Sequence, residues 1–296
     1  MRHGRWLPLL LCAFTFGSAA AELRVGRAAV SISPAIGSPI GSSYGITPSA
    51  GVRDGLFAKA VVLELDGAKA AIVACDLISI RKEIVAEARQ LVSSRTGVRS
   101  EQMILSATHC HAGPQMHPLF LAQVSEDARK LGEKYIAELP GRIAEAVRLA
   151  EADLQPARVW TASVEEHDIS FNRRFLMKDG SVEMNPGRGN PEIVRAVGPI
   201  DPDVSVVYFD TPDGKPLATH VNFALHVAIA GGGEVTADYP GVLSRALAAV
   251  KGPEMVSYVA SKAGVLGLTR ELAVEWAPQG LLTAHSTRCG NLRSAT

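Results

Sequence analysis

Two apolar runs, at residues 59–65 and 69–75, flank the pair Asp66-Gly67. Asp-Gly suits a tight turn whose central residues need positive φ, so the pattern predicts an antiparallel hairpin. Residues 23–32 alternate poorly but are β-prone, and 33–50, rich in Gly, Pro and Ser, reads as a loop. Ile84, Val85, Ala88, Leu91 and Val92 recur at helical spacing and Gly97 ends that helix. Residues 127–150 are also helical, with a kink or break expected at Pro140, whose ring removes a backbone donor. A short apolar run at 103–105 predicts a strand that enters a loop. Further strands are predicted at 157–164, 204–209 and 217–223, the last two joined through Thr211-Pro212-Asp213-Gly214. Between the first two, 172–202 is dense in Asn, Gly, Pro and Arg and predicts a long loop. Leu243, Ala246, Leu247 and Val250 give a helical face that starts near Pro240-Gly241. Strands and helices intermix without internal repeat, which predicts an α/β fold, a mixed β-sheet with packed helices.

Composition narrows the class. Of 296 residues 47% are apolar, enough for a sizeable core. Thirty basic residues balance thirty acidic ones, so no charge surplus points to nucleic acid. Residues 1–21 read as a signal peptide: Arg2 and Arg5, an apolar stretch at 7–16, then Ser18-Ala19-Ala20-Ala21 as a small-residue cleavage site. That core is too short to span a bilayer, so a secreted or periplasmic protein is expected. Cys12 leaves with the leader. Cys75, Cys110 and Cys289 are too far apart for a disulfide framework and make no C-x-x-C pair.

The chemistry concentrates in Ser106–Pro118, S-A-T-H-C-H-A-G-P-Q-M-H-P. On a strand, His109 and His111 share a face and Cys110 points the other way as a small buried residue. Two neutral imidazoles on one face can share a Zn²⁺ or divide ligand and acid/base roles; the plainer alternative is histidines satisfied in a polar loop. A second segment, 217–242, carries His220 on its strand and His226 just beyond it, where it can meet the first pair. His220 reads as a core residue. Asp76, at the end of an apolar run, is either functional or a turn cap. Asp238, before Pro240-Gly241, is either a cap or a site carboxylate.

In order along the chain, V-G-R-A-A-V-S-I-S-P (25–34), G-V-R-D-G-L-F-A-K-A (51–60), C-D (75–76), S-A-T-H-C-H-A-G-P (106–114), F-N-R-R (171–174), V-N-F-A-L-H (221–226) and A-D-Y-P-G (237–241) resemble the N-terminal domain of the neutral/alkaline, non-lysosomal ceramidases. Those enzymes are zinc amidases that cleave ceramide to sphingosine and a fatty acid. The resemblance implies Zn²⁺ as cofactor, with His109 and His226 as ligands and His111 beside the metal as a hydrogen-bonding or acid/base group. Arg173 would bind substrate, and Asp238 joins His111 and Arg173 in the catalytic set. The implied partner is a small-molecule lipid amide, met at the periphery of a membrane surface. The acyl chain and the oligomeric state are not set by the sequence.

The family draws a glutamate and a tyrosine ligand from much later in the chain, so residues 22–255 read as an incomplete catalytic domain that holds zinc weakly and turns over little. Gly290-Asn291-Leu292 is followed by Arg293 where the family has its serine. Residues 256–296 resemble something else. S-Y-V-A-S-K-A-G within 257–280 is similar to the Tyr-x-x-x-Lys helix of short-chain dehydrogenases, with Tyr258 and Lys262 in the catalytic positions, on a segment read as mosaic or mis-joined. The Gly-rich turn that chemistry needs is missing. The leading expectation is a zinc-dependent amide hydrolase. The alternatives are a catalytically dead metal- or ligand-binding fragment and, on the tail alone, an NAD(P)-dependent oxidoreductase.

Overall fold

The computed structural model describes residues 22–42, 45–251, 256–260 and 293–294. The leader and most of the dehydrogenase-like tail, Lys262 included, lie outside the described residues.

β1 (Arg24–Ser31) pairs with β2 (Phe57–Leu65), which pairs with β3 (Ala68–Cys75). Asp66 and Gly67 close the hairpin with φ of 50° and 79°, the left-handed values that Asp-Gly was expected to supply. The crossover helix α1 (Lys82–Arg95) then carries the chain to β4 (Met103–Ala107), parallel to β3. The resulting sheet runs β4-β3-β2-β1 and ends on Gln155–Pro156.

Both faces of this sheet are covered, and the period-2 alternation of β2 shows by what. Ala58, Ala60 and Val62 join the helical core, whereas Val61 and Leu63 join a second core with Phe209, Leu217 and Ala218. The helical layer is α1 with α2 (Glu126–Ala152). Of the kink or break expected at Pro140, the break does not occur: α2 runs through the proline. Tyr135, Leu139, Ile143 and Val147 are buried on both sides of the proline. Each such side chain contributes about 1.5–3 kcal/mol, together more than the about 3 kcal/mol an interior proline costs. β1 approaches the end of α2 so closely that a Cβ at Gly26 would stand 1.9 Å from the Ala150 carbonyl oxygen.

The outer layer is a second sheet of β5 (Arg158–Glu165), β6 (Asp203–Asp210) and β7 (Pro216–Phe223), antiparallel in sequence order. After α3 (Asp238–Lys251), β8 (Val256–Ala260) lies parallel to β7. This corrects the tail reading: Tyr258 stands in a strand, not on a helix. Val-Ser-Tyr-Val-Ala is rich in β-branched and aromatic residues, and the edge of β7 gives its backbone partners. The Tyr-x-x-x-Lys helix therefore does not begin where the motif requires it. Residues 172–202 also differ from expectation. They hold a small sheet of Arg174–Met177 between Val182–Met184 and Ile193–Ala196, with Gly180 at φ 84° closing the first turn. Within 33–50, Pro39–Ser42 pairs with Gly45–Pro48.

His220 lies buried in β7, as its place on an apolar strand suggested. Burial pushes its imidazole down to about 4. An imidazole depressed in the folded state binds fewer protons there than in the unfolded chain, so stability falls as pH drops through the ordinary value. Between about pH 6.5 and 4 this group alone is expected to remove on the order of 3 kcal/mol, and His220→Phe should flatten the acid limb of a urea-stability profile. Among the described residues no helix is long and apolar enough to cross a membrane.

Candidate metal centre

β4 ends at Ala107, and the chain beyond it stays tied to the residues that follow β3. Thr108 N donates to Cys75 O at 2.9 Å and Cys110 N to Leu77 O at 3.0 Å. Between them His109 turns into the left-handed region, φ 67°, at a cost of about 1–2 kcal/mol for a residue with a Cβ. Its ring Nδ1 lies 2.9 Å from the carbonyl oxygen of Ile78, which can only accept. The proton of neutral His109 is therefore on Nδ1, and Nε2 presents a lone pair. His109 and His111 do come together, but through this turn and not by strand alternation, because the strand stops two residues earlier.

The other side of the segment is held by the chain after β7. His111 N donates to Val227 O at 3.2 Å, Thr236 N to Ala112 O at 3.3 Å, and Cys110 Sγ to Thr236 O at 2.9 Å. Cys110 is fully buried and with Ala112, Val227 and Tyr239 makes a small apolar plug, the inert role expected of it. Tyr239 Oη is buried with no hydrogen-bond partner among the described residues.

These ties bring His226 to the first pair. One ligand atom from each of His109, His111 and His226 lies within 4.8 Å of the others. His109 Nε2 and His111 Nε2 are 3.1 Å apart. Ring centres are separated by 4.7 Å for 109–111, 4.6 Å for 111–226 and 5.2 Å for 109–226, with ring planes inclined at 61–84°. Burial holds the His111 imidazole below its ordinary value. Charge on His109 and Arg173 adds to that, while Asp238 opposes it. His111 is thus neutral at pH 7, with a ring lone pair for a metal or a proton.

Arg173 stands on the exposed stretch before the small sheet, outside the ring cluster but close enough for its charge to act on His111. Asp238, at φ 57°, is buried. Its Oδ2 accepts from Ile229 N and Ala230 N, both at 2.8 Å, and Oδ1 from Tyr239 N. Three backbone donors engage this carboxylate, and through them it fixes the loop that follows His226. Asp54 continues the network, accepting from Thr236 Oγ1 at 2.8 Å and Ala237 N at 2.6 Å. Asp54 lies in the family-like stretch 51–60, but nothing in the sequence assigned it a role. A cavity of about 480 Å³ opens beside this network, lined in part by Arg53, Ile229, Tyr239, Val242 and Arg245; none of the three histidines lines it.

Asp76 sits under the site, fully buried, with Lys59 Nζ 3.1 Å from Oδ2 and Phe57 N donating to the same oxygen at 3.0 Å. Lys59 Nζ also donates to Ser244 Oγ of α3 at 3.2 Å. Burial pushes the Asp76 carboxyl up and Lys59 opposes that shift. The pair anchors the start of the Leu77-Ile78 turn whose carbonyls hold Cys110 and His109.

No family profile matches the chain, and no curated protein does. Two solved structures share its fold. A ceramidase in complex with C2 superposes with a TM-score of 0.65 at 22% identity, over 81% of this chain and 38% of that one. The neutral ceramidase of Pseudomonas aeruginosa superposes with a TM-score of 0.63 at 22% identity, over the same shares, 81% and 38%. The fold is ceramidase-like. The chain spans well under half the length of these ceramidase chains.

Proposed function

We propose that the protein is a zinc-dependent hydrolase acting on the amide bond of a ceramide-like lipid, exported by its leader. The observation that carries this reading is the convergence of His109, His111 and His226 on a ceramidase-like fold. The donor set fits the metal. Imidazoles suit zinc, and the Ile78 carbonyl, 2.9 Å from His109 Nδ1, orients that ring so that Nε2 faces the site. His109 and His226 would hold the ion, which when bound supplies Lewis acidity towards an amide carbonyl.

The remaining steps belong to the chain's own side chains. Arg173, exposed and close enough for its charge to act on His111, would bind the polar part of the substrate. Asp238 acts on the site by fixing the 226–230 loop. Ile229 and Val242, 70% and 57% exposed, line the cavity beside the Asp238 network and give an apolar rim that would suit a lipid met at a membrane surface.

A second reading is that the three-histidine group binds a metal without turnover. Incubating the zinc-loaded chain with an N-acyl sphingoid base separates the two. The hydrolase reading expects fatty-acid release that is lost on chelation and restored by zinc. Full zinc occupancy without release would establish the second.

A further inference from the structure

We propose, on the metal-centre reading above, that Thr236 and Asp54 are positioning residues: one hydroxyl, held by one carboxylate, sets the spacing between the two segments that carry the histidines. They act through other residues and are not ligands.

A metal centre built on two loops holds its ion only when the loops keep a fixed separation, within about 0.5 Å. Here one segment is the turn at 108–112 and the other the loop at 226–230. Among the described residues their direct backbone tie is His111 N to Val227 O, at 3.2 Å. Further ties meet at Thr236, which is 2% exposed. Its N donates to Ala112 O at 3.3 Å, and its O accepts from Cys110 Sγ at 2.9 Å, which fastens it to the first segment. Its Oγ1 accepts from Asp238 N at 3.0 Å. Asp238 in turn takes Ile229 N and Ala230 N, so the same side chain reaches the second segment.

The protons along this chain can be ordered in one way. Asp238 N can only donate, so the Thr236 oxygen accepts there and the hydroxyl proton goes to Asp54 Oδ2, 2.8 Å away. Asp54 Oδ1 takes Ala237 N at 2.6 Å. Arg245 Nη1, 3.9 Å from Asp54 Oδ2, stands beyond hydrogen-bond reach. A plain turn cap would need only the local bond between 236 and 238. The other partners of Thr236 include Cys110 and Asp54, 126 and 182 positions away. Asp54 is itself fixed, because Gly51–Val52 pairs in parallel with Glu234–Val235 and Arg53 N donates to Val235 O at 2.8 Å.

Zinc affinity tests these roles, measured by competition with a chromophoric chelator on the full-length chain well below its melting temperature. Thr236→Val keeps the shape and removes the hydroxyl. Asp54→Asn sets an N–H donor against either that hydroxyl or Ala237 N. Each should lose about 10-fold or more in affinity, the effect of removing an outer-shell partner. Thr236→Ser keeps the hydroxyl and should stay within about threefold of the parent. A merely structural bond would lower the melting temperature of T236V and leave the affinity of the folded chain unchanged. Amide exchange of the unaltered chain needs no variant to fold: zinc should slow Ile229, Ala230 and Asp238 about 10-fold more than Val61 in the core sheet. If T236V and T236S bind zinc alike, or zinc slows those three amides no more than Val61, the two residues do not position the centre, and the centre stands without them. If the unaltered chain takes up no zinc, the metal-centre reading falls and takes these roles with it.

Discussion

Replacing Asp76 with alanine is expected to remove about 3–5 kcal/mol of folding stability, because it strands the Lys59 ammonium in the core. Lys59 is 5% exposed and Asp76 not at all, so water cannot solvate the ammonium left behind. Ser244 Oγ is a neutral partner that cannot replace a carboxylate. The backbone donor Phe57 N also loses its acceptor. The double change Lys59→Met with Asp76→Leu removes both charges and should recover most of the loss, since apolar replacement of a whole buried pair is often neutral. Urea denaturation of the single and double variants measures both. Equal destabilisation by the two would mean that packing at these positions, and not a stranded charge, is what matters.

Replacing His226 with alanine is expected to lower zinc affinity by about 100-fold or more while leaving the fold intact. His226 sits on a loop outside the cores, and its neighbours are held by other groups: Val227 O accepts from His111 N, and Asp238 takes Ile229 N and Ala230 N. The variant should therefore melt close to the parent in the absence of metal, and only the parent's melting temperature should rise with added zinc. Affinity in the parent should itself weaken as pH falls, because protons compete for the imidazoles. A variant that still gains stability from zinc as the parent does would place the ion elsewhere.

What the sequence made legible follows from how locally each feature is encoded. The hairpin of β2 and β3 rests on two apolar runs and a turn pair that must adopt positive φ, and it formed as read. The three histidines could be named because neutral imidazole is the commonest metal ligand and the segments carrying them are distinctive. Their geometry could not be read, because His109 reaches its place through a left-handed turn stabilised by the Ile78 carbonyl, a contact between separate segments. The Lys59–Asp76 pair was invisible for the same reason: only the register of β2 and β3 puts the ammonium beside the carboxylate. The break allowed for at Pro140 does not occur because the proline rule is local, whereas the apolar face of α2 is buried on both sides of it. The strands within 174–196 are three or four residues long and largely exposed, too short to show a period. Val256–Ala260 became a strand because β7 offered an edge, information a motif match does not carry.

The central claim is that one divalent ion sits among His109, His111 and His226. Anomalous diffraction at the zinc edge from crystals of the zinc-loaded chain tests it most directly. The account predicts one strong peak about 2.0–2.1 Å from a ring nitrogen of His109 and of His226, with His111 beside it. A fully loaded crystal whose peak lies away from those rings, or that shows no peak among them, would contradict it.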